Sequence, residues 1–333
     1  MPTEPVIEIK GLTKYYGDVV GVKDLDLEVR KGEVFGFLGP NGAGKTTTIR
    51  VLMDFIRRSS GDVKLMGLDP ETAPDDVQAR IGYLPGEVGH YGGMTGRRFL
   101  RYLMDLRGID CWERVEVLAE RLDLDMSKRV KDYSKGNKQK LNLVQTFMHE
   151  PDLYILDEPT SGLDPLMQQE FYKLVMEEKT KGATVFMSSH VLAEVEHVCD
   201  RVGILKDGHM VALESMASLK DKTGKVLDVE FGPGVNVTVD MFDIEGVRGV
   251  KVHDHSLRMT VIGKVDPVIK RLAQYDVASM SFQPFSLEHL FLEMYGAEDI
   301  DDIKMNGSEE NNGSGPNDSK DGLSDRDKGG ARL

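Results

Sequence analysis

The sequence predicts an α/β fold arranged around a phosphate-binding loop, and three stretches carry that prediction. Residues 34 to 56 read as an apolar strand, a glycine-rich loop and a helix. Leu153-Tyr154-Ile155-Leu156 is a second apolar strand, and it runs straight into Asp157-Glu158-Pro159. Thr184-Val185-Phe186-Met187 is a third, ending in Ser188-Ser189-His190. Polar residues gathered at strand ends, with apolar strands behind them, are the pattern of a buried sheet that holds chemistry at one edge.

The loop is the most informative of the three. Gly39-Pro40-Asn41-Gly42-Ala43-Gly44-Lys45-Thr46 matches G-x-x-x-x-G-K-[ST], and Thr47 continues into the helix. The glycines let the backbone curl so that successive N–H groups face a phosphate. The helix N-terminus adds the positive end of its dipole. Lys45 can reach the β- and γ-phosphates, and the Thr46 hydroxyl can ligand Mg²⁺. The bland alternative is a glycine-rich turn with a chance lysine, but the strand and helix stand where the motif needs them. The helix is expected over Thr47 to Ile56, with Ile49, Leu52, Met53 and Ile56 on one face.

Composition sets the bounds. The 333 residues allow one large domain or two. No apolar run approaches the ~20 residues of a membrane span. The N-terminus lacks a charged-then-apolar leader pattern, so the chain is expected to be made and kept in the cytosol. Cys111 and Cys199 are isolated, without metal-ligand spacing, which fits a reducing compartment. The net charge of −14 argues against a nucleic-acid surface.

Ahead of the loop, Val6-Ile7-Glu8-Ile9 and Asp24-Leu25-Asp26-Leu27-Glu28-Val29 alternate as strands, and Lys31-Gly32-Glu33 turns the chain back. They read as an antiparallel edge sheet. Lys14-Tyr15-Tyr16-Gly17 lies between them, and one of these tyrosines could stack on an adenine or simply pack. Behind the loop, Gly61 to Gly67 reads as a strand and turn. Ile81-Gly82-Tyr83-Leu84 is a short strand ended by Pro85.

A helical insert follows. Arg97 to Arg107 carries Phe99, Leu103 and Leu106 at helical spacing, and Glu113 to Leu122 carries Val115, Leu118 and Leu122. The charges on the outer faces read as a solvated surface. The insert closes on Tyr133-Ser134-Lys135-Gly136-Asn137, before a helix with Leu141, Val144 and Met148 inward. Ser134 is placed as an N-cap, or, with Gly136, as a second anion site at a helix N-terminus.

Two adjacent carboxylates at the end of a core strand have no packing reason to be there. Beside a phosphate loop, Asp157 suits the Mg²⁺ shell and Glu158 suits a base for water. Ser161-Gly162-Leu163-Asp164-Pro165 follows, with Asp164 as cap and Pro165 at the first helical position; that helix should stop near Gly182. His190, at the same sheet edge as Glu158, could hydrogen-bond a γ-phosphate.

Taken together, the order of motifs over residues 6 to about 220 resembles the ATPase subunit of an ABC transporter. The matching series is aromatic loop, phosphate loop, signature, Asp-Glu strand, Ser-Gly-Leu-Asp loop and switch histidine. The resemblance implies an α/β P-loop NTPase of ABC ATPase type, with a mixed-sheet core, an antiparallel β edge subdomain and a helical subdomain at about 87–150. It implies ATP and Mg²⁺ bound between two such domains, head to tail, most simply a homodimer. Tyr16 would then stack on the adenine. Gly39, Asn41, Gly42, Ala43, Gly44, Lys45, Thr46 and Thr47 would hold the phosphates, facing Ser134 and Gly136 of the second copy. Thr46 and Asp157 would support Mg²⁺, Glu158 would polarise water with Lys45 and His190 beside it, and Asp164 would couple the two sites. The chain would sit peripherally on the cytoplasmic face of the membrane and drive a permease carried on a separate chain, with no nucleic-acid partner.

Two departures from the family pattern stand out. The family signature Leu-Ser-Gly-Gly-Gln is Tyr133-Ser134-Lys135-Gly136-Asn137 here, so Lys135 replaces a glycine. After Pro85 the family often has glutamine; this chain has Gly86, then Glu87, which is expected to take over part of that coupling role. Such departures resemble ATPases that pair with drug, antibiotic or polysaccharide exporters.

Residues 221–295 form a separate pattern, expected to be a small α+β accessory domain. Its strands are 226–231, 249–253, 257–262 and 277–282. A helix at 267–274 carries Val268, Ile269 and Leu272, and a last helix holds Leu287, Leu290, Phe291 and Met294. His253 and His255 read as structural, alternating on a strand. Ser286 to Leu292 resembles the ending of exporter-type subunits. Residues 296–333 are poor in apolar side chains and should be a disordered acidic tail, with ten acidic and five basic side chains from 298 onward. The rival classes are a soluble ABC-type ATPase acting on ribosomes or DNA, and a binding-only regulatory subunit. One phosphate loop, a short insert and an acidic charge disfavour the first; the Asp157-Glu158 pair disfavours the second.

Overall fold

The computed structural model describes residues 4–86, 93–235 and 237–284. Six strands make the central sheet: β3 (Val34–Leu38), β5 (Ile81–Leu84), β6 (Leu153–Asp157), β7 (Thr184–Ser189), β8 (Arg201–Lys206) and β9 (His209–Ser215). Their order is β5-β6-β7-β3-β8-β9. All neighbours are parallel except β8 and β9, which pair antiparallel. The hairpin between β8 and β9 turns on Asp207-Gly208, both at positive φ. That dipeptide is a standard hairpin signal, although the sequence reading above places no strands there.

β1 (Pro5–Tyr16), β2 (Val19–Arg30) and β4 (Ser60–Leu65) form the expected antiparallel sheet ahead of the helical layer, three-stranded, separate from the central sheet and ordered β2-β1-β4. Alternation along β3 shows how the layers meet. Phe35 and Phe37 face the small sheet and α1 (Lys45–Leu52), packing on Phe186 at centroid distances of 5.8 and 5.2 Å. Val34 and Leu38 face the opposite layer. That layer contains α3 (Gly96–Arg107), α4 (Trp112–Arg121), α5 (Lys135–Phe147), α6 (Pro165–Thr180) and α7 (Leu192–Val198); a short α2 (Pro74–Ala79) precedes β5.

α7 sits so close to β3 that a methyl on Gly36 would lie 2.6 Å from Val195 Cγ1 and 3.0 Å from Cys199 Sγ. The insert is fixed to the core by a buried ionic cluster. Glu178 of α6 accepts from Arg114 of α4 (2.7 Å), from Tyr154 Oη of β6 (2.9 Å) and from Lys181 (2.9 Å).

α1 ends at Leu52, four residues before the expected Ile56. Asp54 turns left-handed at φ 55°, and Phe55 N–H closes back on the Arg50 carbonyl at 2.8 Å. Ile56 still packs on the core from the loop. In α3 the buried face is Phe99, Leu100 and Met104, while Leu106 is exposed.

After α8 (Met216–Thr223), four strands form a second antiparallel sheet, order β11-β12-β10-β13. They are β10 (Lys225–Phe231), β11 (Val247–His253), β12 (Ser256–Val261) and β13 (Val277–Pro284), with α9 (Asp266–Leu272) packed through Val268 and Leu272. Ile269 is exposed instead. The two histidines do not alternate on a strand. His253 ends β11 and His255 lies in the hairpin turn, both exposed to solvent, so neither packs a core. The expected last helix, the Ser286–Leu292 ending and the tail lie outside the described residues, as does Glu87. Among the described residues, no helix is long and apolar enough to cross a membrane.

Candidate active site

Four loops meet at the carboxyl edge of neighbouring parallel strands, where an open α/β sheet places its ligands. They follow β3, β6, β7 and β5. After β3, Gly42 and Gly44 take positive φ of 84° and 106°. α1 begins at Lys45 with no side-chain cap, which leaves its first N–H groups to a ligand. Lys45 is buried, and its ammonium donates to the Gly39 carbonyl (2.6 Å) and the Pro40 carbonyl (3.0 Å). Burial lowers its pKa, against the pull of Glu158 and Asp157.

From β6, Asp157 is buried and accepts twice. Thr46 Oγ1 donates to Oδ2 at 2.9 Å and Ser188 Oγ to Oδ1 at 2.5 Å. Ser188 Oγ also accepts the Glu158 N–H at 3.1 Å. Glu158 is one of the few non-glycine residues at positive φ, 48°, a conformation that persists only where its surroundings hold it. Its Oε1 lies 3.1 Å from His190 Nδ1 and 3.8 Å from Lys45 Nζ. The hydrogen bond from His190 holds the Glu158 carboxyl below its ordinary range, with Lys45 and Lys135 adding to the effect. The same bond raises the His190 imidazole. Glu158 is therefore an ionised acceptor at the edge of two cavities.

The first cavity, about 260 Å³, is lined by Tyr16, Val19 and Val20 together with Gly42, Gly44, Lys45, Thr46 and Thr47. Asn41 and Glu158 complete its wall. Its lining combines aromatic and aliphatic side chains with the backbone of a glycine-rich loop. Tyr16 is 44 % exposed, with the Lys14 ammonium 5.2 Å from its ring centroid. Gly39 and Ala43 do not line the cavity; Gly39 supplies a carbonyl to Lys45, and Ala43 is buried in the core. The second cavity, about 510 Å³, is bounded by Thr46, Arg50, Tyr83, Gly86, Lys135, Asp157, Glu158 and Ser161.

Comparison with known proteins agrees with this geometry. A family profile described as ABC transporter matches residues 22–161. The chain is 32 % identical over 298 residues to a bacitracin transport ATP-binding protein of Bacillus licheniformis, covering 87 % of this chain and 97 % of the relative. It is 36 % identical over 237 residues to its counterpart in Enterococcus faecalis, covering 70 % and 77 %. A solved structure of an ATP-binding subunit of an ABC transporter aligns with 31 % identity and a TM-score of 0.62, over 65 % of this chain and 92 % of that one. The chain belongs to the ABC transporter ATP-binding family. It binds nucleotide and hydrolyses ATP.

In the Ser134-Lys135-Gly136 turn, Lys135 shares the second cavity with Thr46, whereas Ser134 and Gly136 line neither cavity. Ser134 caps α5 by accepting the Asn137 N–H at 3.2 Å, and a methyl on Gly136 would lie 2.9 Å from the Gly162 carbonyl. Asp164 caps α6 through the Met167 N–H at 3.0 Å. Lys135 lays its stem across Gly162, whose added methyl would meet Lys135 Cγ, Cδ and Cε at 3.2 to 3.3 Å. It thereby turns its charge toward the Glu158 cavity.

Sequence reading missed the supports of the site: Ser188, Ser189, Thr160 and Glu194. Two adjacent serines ending an apolar strand were the available signal, because buried hydroxyls need partners.

Proposed function

We propose that the chain is the ATP-hydrolysing subunit of an exporter, working as a head-to-tail pair on a separately carried membrane permease. The convergence of Lys45, Thr46, Asp157, Glu158 and His190 on one sheet edge carries this reading. The relatives' transport of bacitracin favours an amphiphilic antibiotic-like or drug-like cargo.

In this reading Lys45 exchanges its two carbonyl partners for β- and γ-phosphate oxygens. Glu158 accepts the proton of the attacking water, and His190 keeps that carboxylate ionised and oriented. Thr46 and Asp157 fit Mg²⁺, since one hydroxyl and one carboxylate 2.9 Å apart, with phosphates, match its preference for few protein oxygens. The ion, when bound, neutralises charge on the phosphates. Ser134 and Gly136 present the α5 N-terminus to the γ-phosphate held by a second copy, which accords with their place outside the chain's own cavity. Asp164 and Glu87 carry the signal between sites and toward the permease, at the cytoplasmic face of the membrane.

The test is affinity capture of the tagged full chain from detergent-solubilised native membranes, with co-eluting chains identified by mass spectrometry. A stoichiometric membrane protein of several spans is expected. Ribosomal proteins, or no membrane partner, would refute the reading.

A further inference from the structure

Glu158 and His190 stand on different loops, after β6 and after β7, yet they must meet within hydrogen-bond distance. Glu158 also holds a left-handed backbone conformation, so its loop needs an outside restraint. One carboxylate spans both loops. Glu194 of α7 accepts from Thr160 Oγ1 on one oxygen and from Ser189 Oγ on the other, the latter at 2.5 Å. Thr160 lies two residues after Glu158, and Ser189 immediately before His190. Thr160 and Ser189 are 4 % and 1 % exposed, so water does not compete for their hydroxyls. Ser189 Oγ further accepts the Val191 N–H at 2.9 Å, closing the loop on the far side of His190.

The layout is two-sided. Ser188 faces the α1 side and fixes Asp157 and the Glu158 N–H; Ser189 faces the α7 side and reaches Glu194. Glu194 itself lines neither cavity. It acts on the site chiefly through the loops, from a helix seated on β3 at Gly36, and its charge adds a lesser pull on the His190 imidazole.

We propose that Glu194 is a positioning residue for ATP hydrolysis, bridging Thr160 and Ser189 so that Glu158 and His190 are held in register. The proposal rests on the reading of Glu158 as base and His190 as its partner.

The experiment measures steady-state ATP hydrolysis, ATP affinity and thermal midpoint on the full chain. The variants are Glu194→Ala, Glu194→Gln, Thr160→Val, Ser189→Ala, Glu158→Gln and His190→Ala, with the Glu194→Ala/His190→Ala double. Glu194→Ala should lower kcat by roughly 10- to 100-fold, the scale of a misplaced catalytic group, with ATP affinity nearly unchanged. Glu194→Gln should restore much of the rate, because an amide can partner both hydroxyls. Thr160→Val and Ser189→Ala, each cutting one side of the bridge, should give partial losses and serve if Glu194→Ala does not fold. In the His190→Ala background, Glu194→Ala should cost less than it does alone.

A Glu194→Ala rate equal to wild type, a fully additive double variant, or a Gln variant no better than Ala overturns the proposal. Wild-type rates in Glu158→Gln and His190→Ala would instead overturn the site reading beneath it.

Discussion

Adding one methyl group far from the nucleotide should slow hydrolysis. In Gly36→Ala the new Cβ lies 2.6 Å from Val195 Cγ1 and 3.0 Å from Cys199 Sγ. Carbon atoms rest about 3.5–4.0 Å apart, so α7 must lift from β3 by roughly 1 Å. Overpacking of this kind costs about 1–3 kcal/mol. For a domain of this size that lowers the thermal midpoint by about 2–12 °C. The lift also carries Glu194 away from Thr160 and Ser189, and a displacement of ~1 Å can cost up to about 100-fold in rate. Circular-dichroism melts and a phosphate-release assay on the same preparation read both effects. Val195→Ala in the same chain removes the clashing methyls and should return much of the lost rate. A Gly36→Ala protein that is destabilised but turns over at the wild-type rate would refute the link between helix seating and chemistry. So would failure of Val195→Ala to rescue.

Glu158→Gln should lower kcat by ~10²–10⁴ while ATP still binds, because Lys45 and the loop N–H groups are untouched; rapid-quench hydrolysis and equilibrium binding check this. The His190–Glu158 pair makes ligand-free stability pH-dependent. Glu158, lowered from 4.5, contributes above that value and loses its contribution as pH falls through the lower folded value. His190, raised from 6.5, contributes fully below that value and loses its contribution as pH rises through the higher folded one. The pair should therefore stabilise most between pH 4.5 and 6.5, and His190→Ala should flatten that maximum in melts taken across pH. Glu178→Ala leaves Arg114 and the Tyr154 hydroxyl without their buried acceptor and should cost about 3–5 kcal/mol, read as a fall in thermal midpoint. Lys135→Met keeps the stem over Gly162 but removes the charge; it should retain the fold and shift the acid limb of the hydrolysis profile upward, since Lys135 helps keep Glu158 ionised.

What the sequence disclosed was the part of the site whose residues are consecutive. The phosphate loop, the Asp157-Glu158 strand end and His190 declare themselves because each motif folds locally. The supports did not, because their contacts join distant segments. Ser188 and Ser189 look equivalent in a string; only the assembled sheet decides that one faces α1 and the other α7. The small sheet was half legible for the same reason. β1 and β2 alternate visibly, but their union with β4 spans the whole phosphate loop and α1. Leu106 and Ile269 fit a helical period yet face solvent, since periodicity names a stripe without fixing its edges. The β8–β9 hairpin is legible in the Asp207-Gly208 dipeptide, whose two residues take the positive φ that a tight hairpin turn needs.

The carbonyls of Gly39 and Pro40 already satisfy the Lys45 ammonium. A ligand must therefore out-compete two neutral acceptors before it gains that cation. A triphosphate brings charged oxygens to the spot and wins the exchange readily. On the proposed reading, a ligand whose phosphate chain is too short to reach Lys45 would leave these internal bonds intact. On that reading the loop would measure the length of the phosphate chain, with its own backbone as the competitor that a ligand must displace.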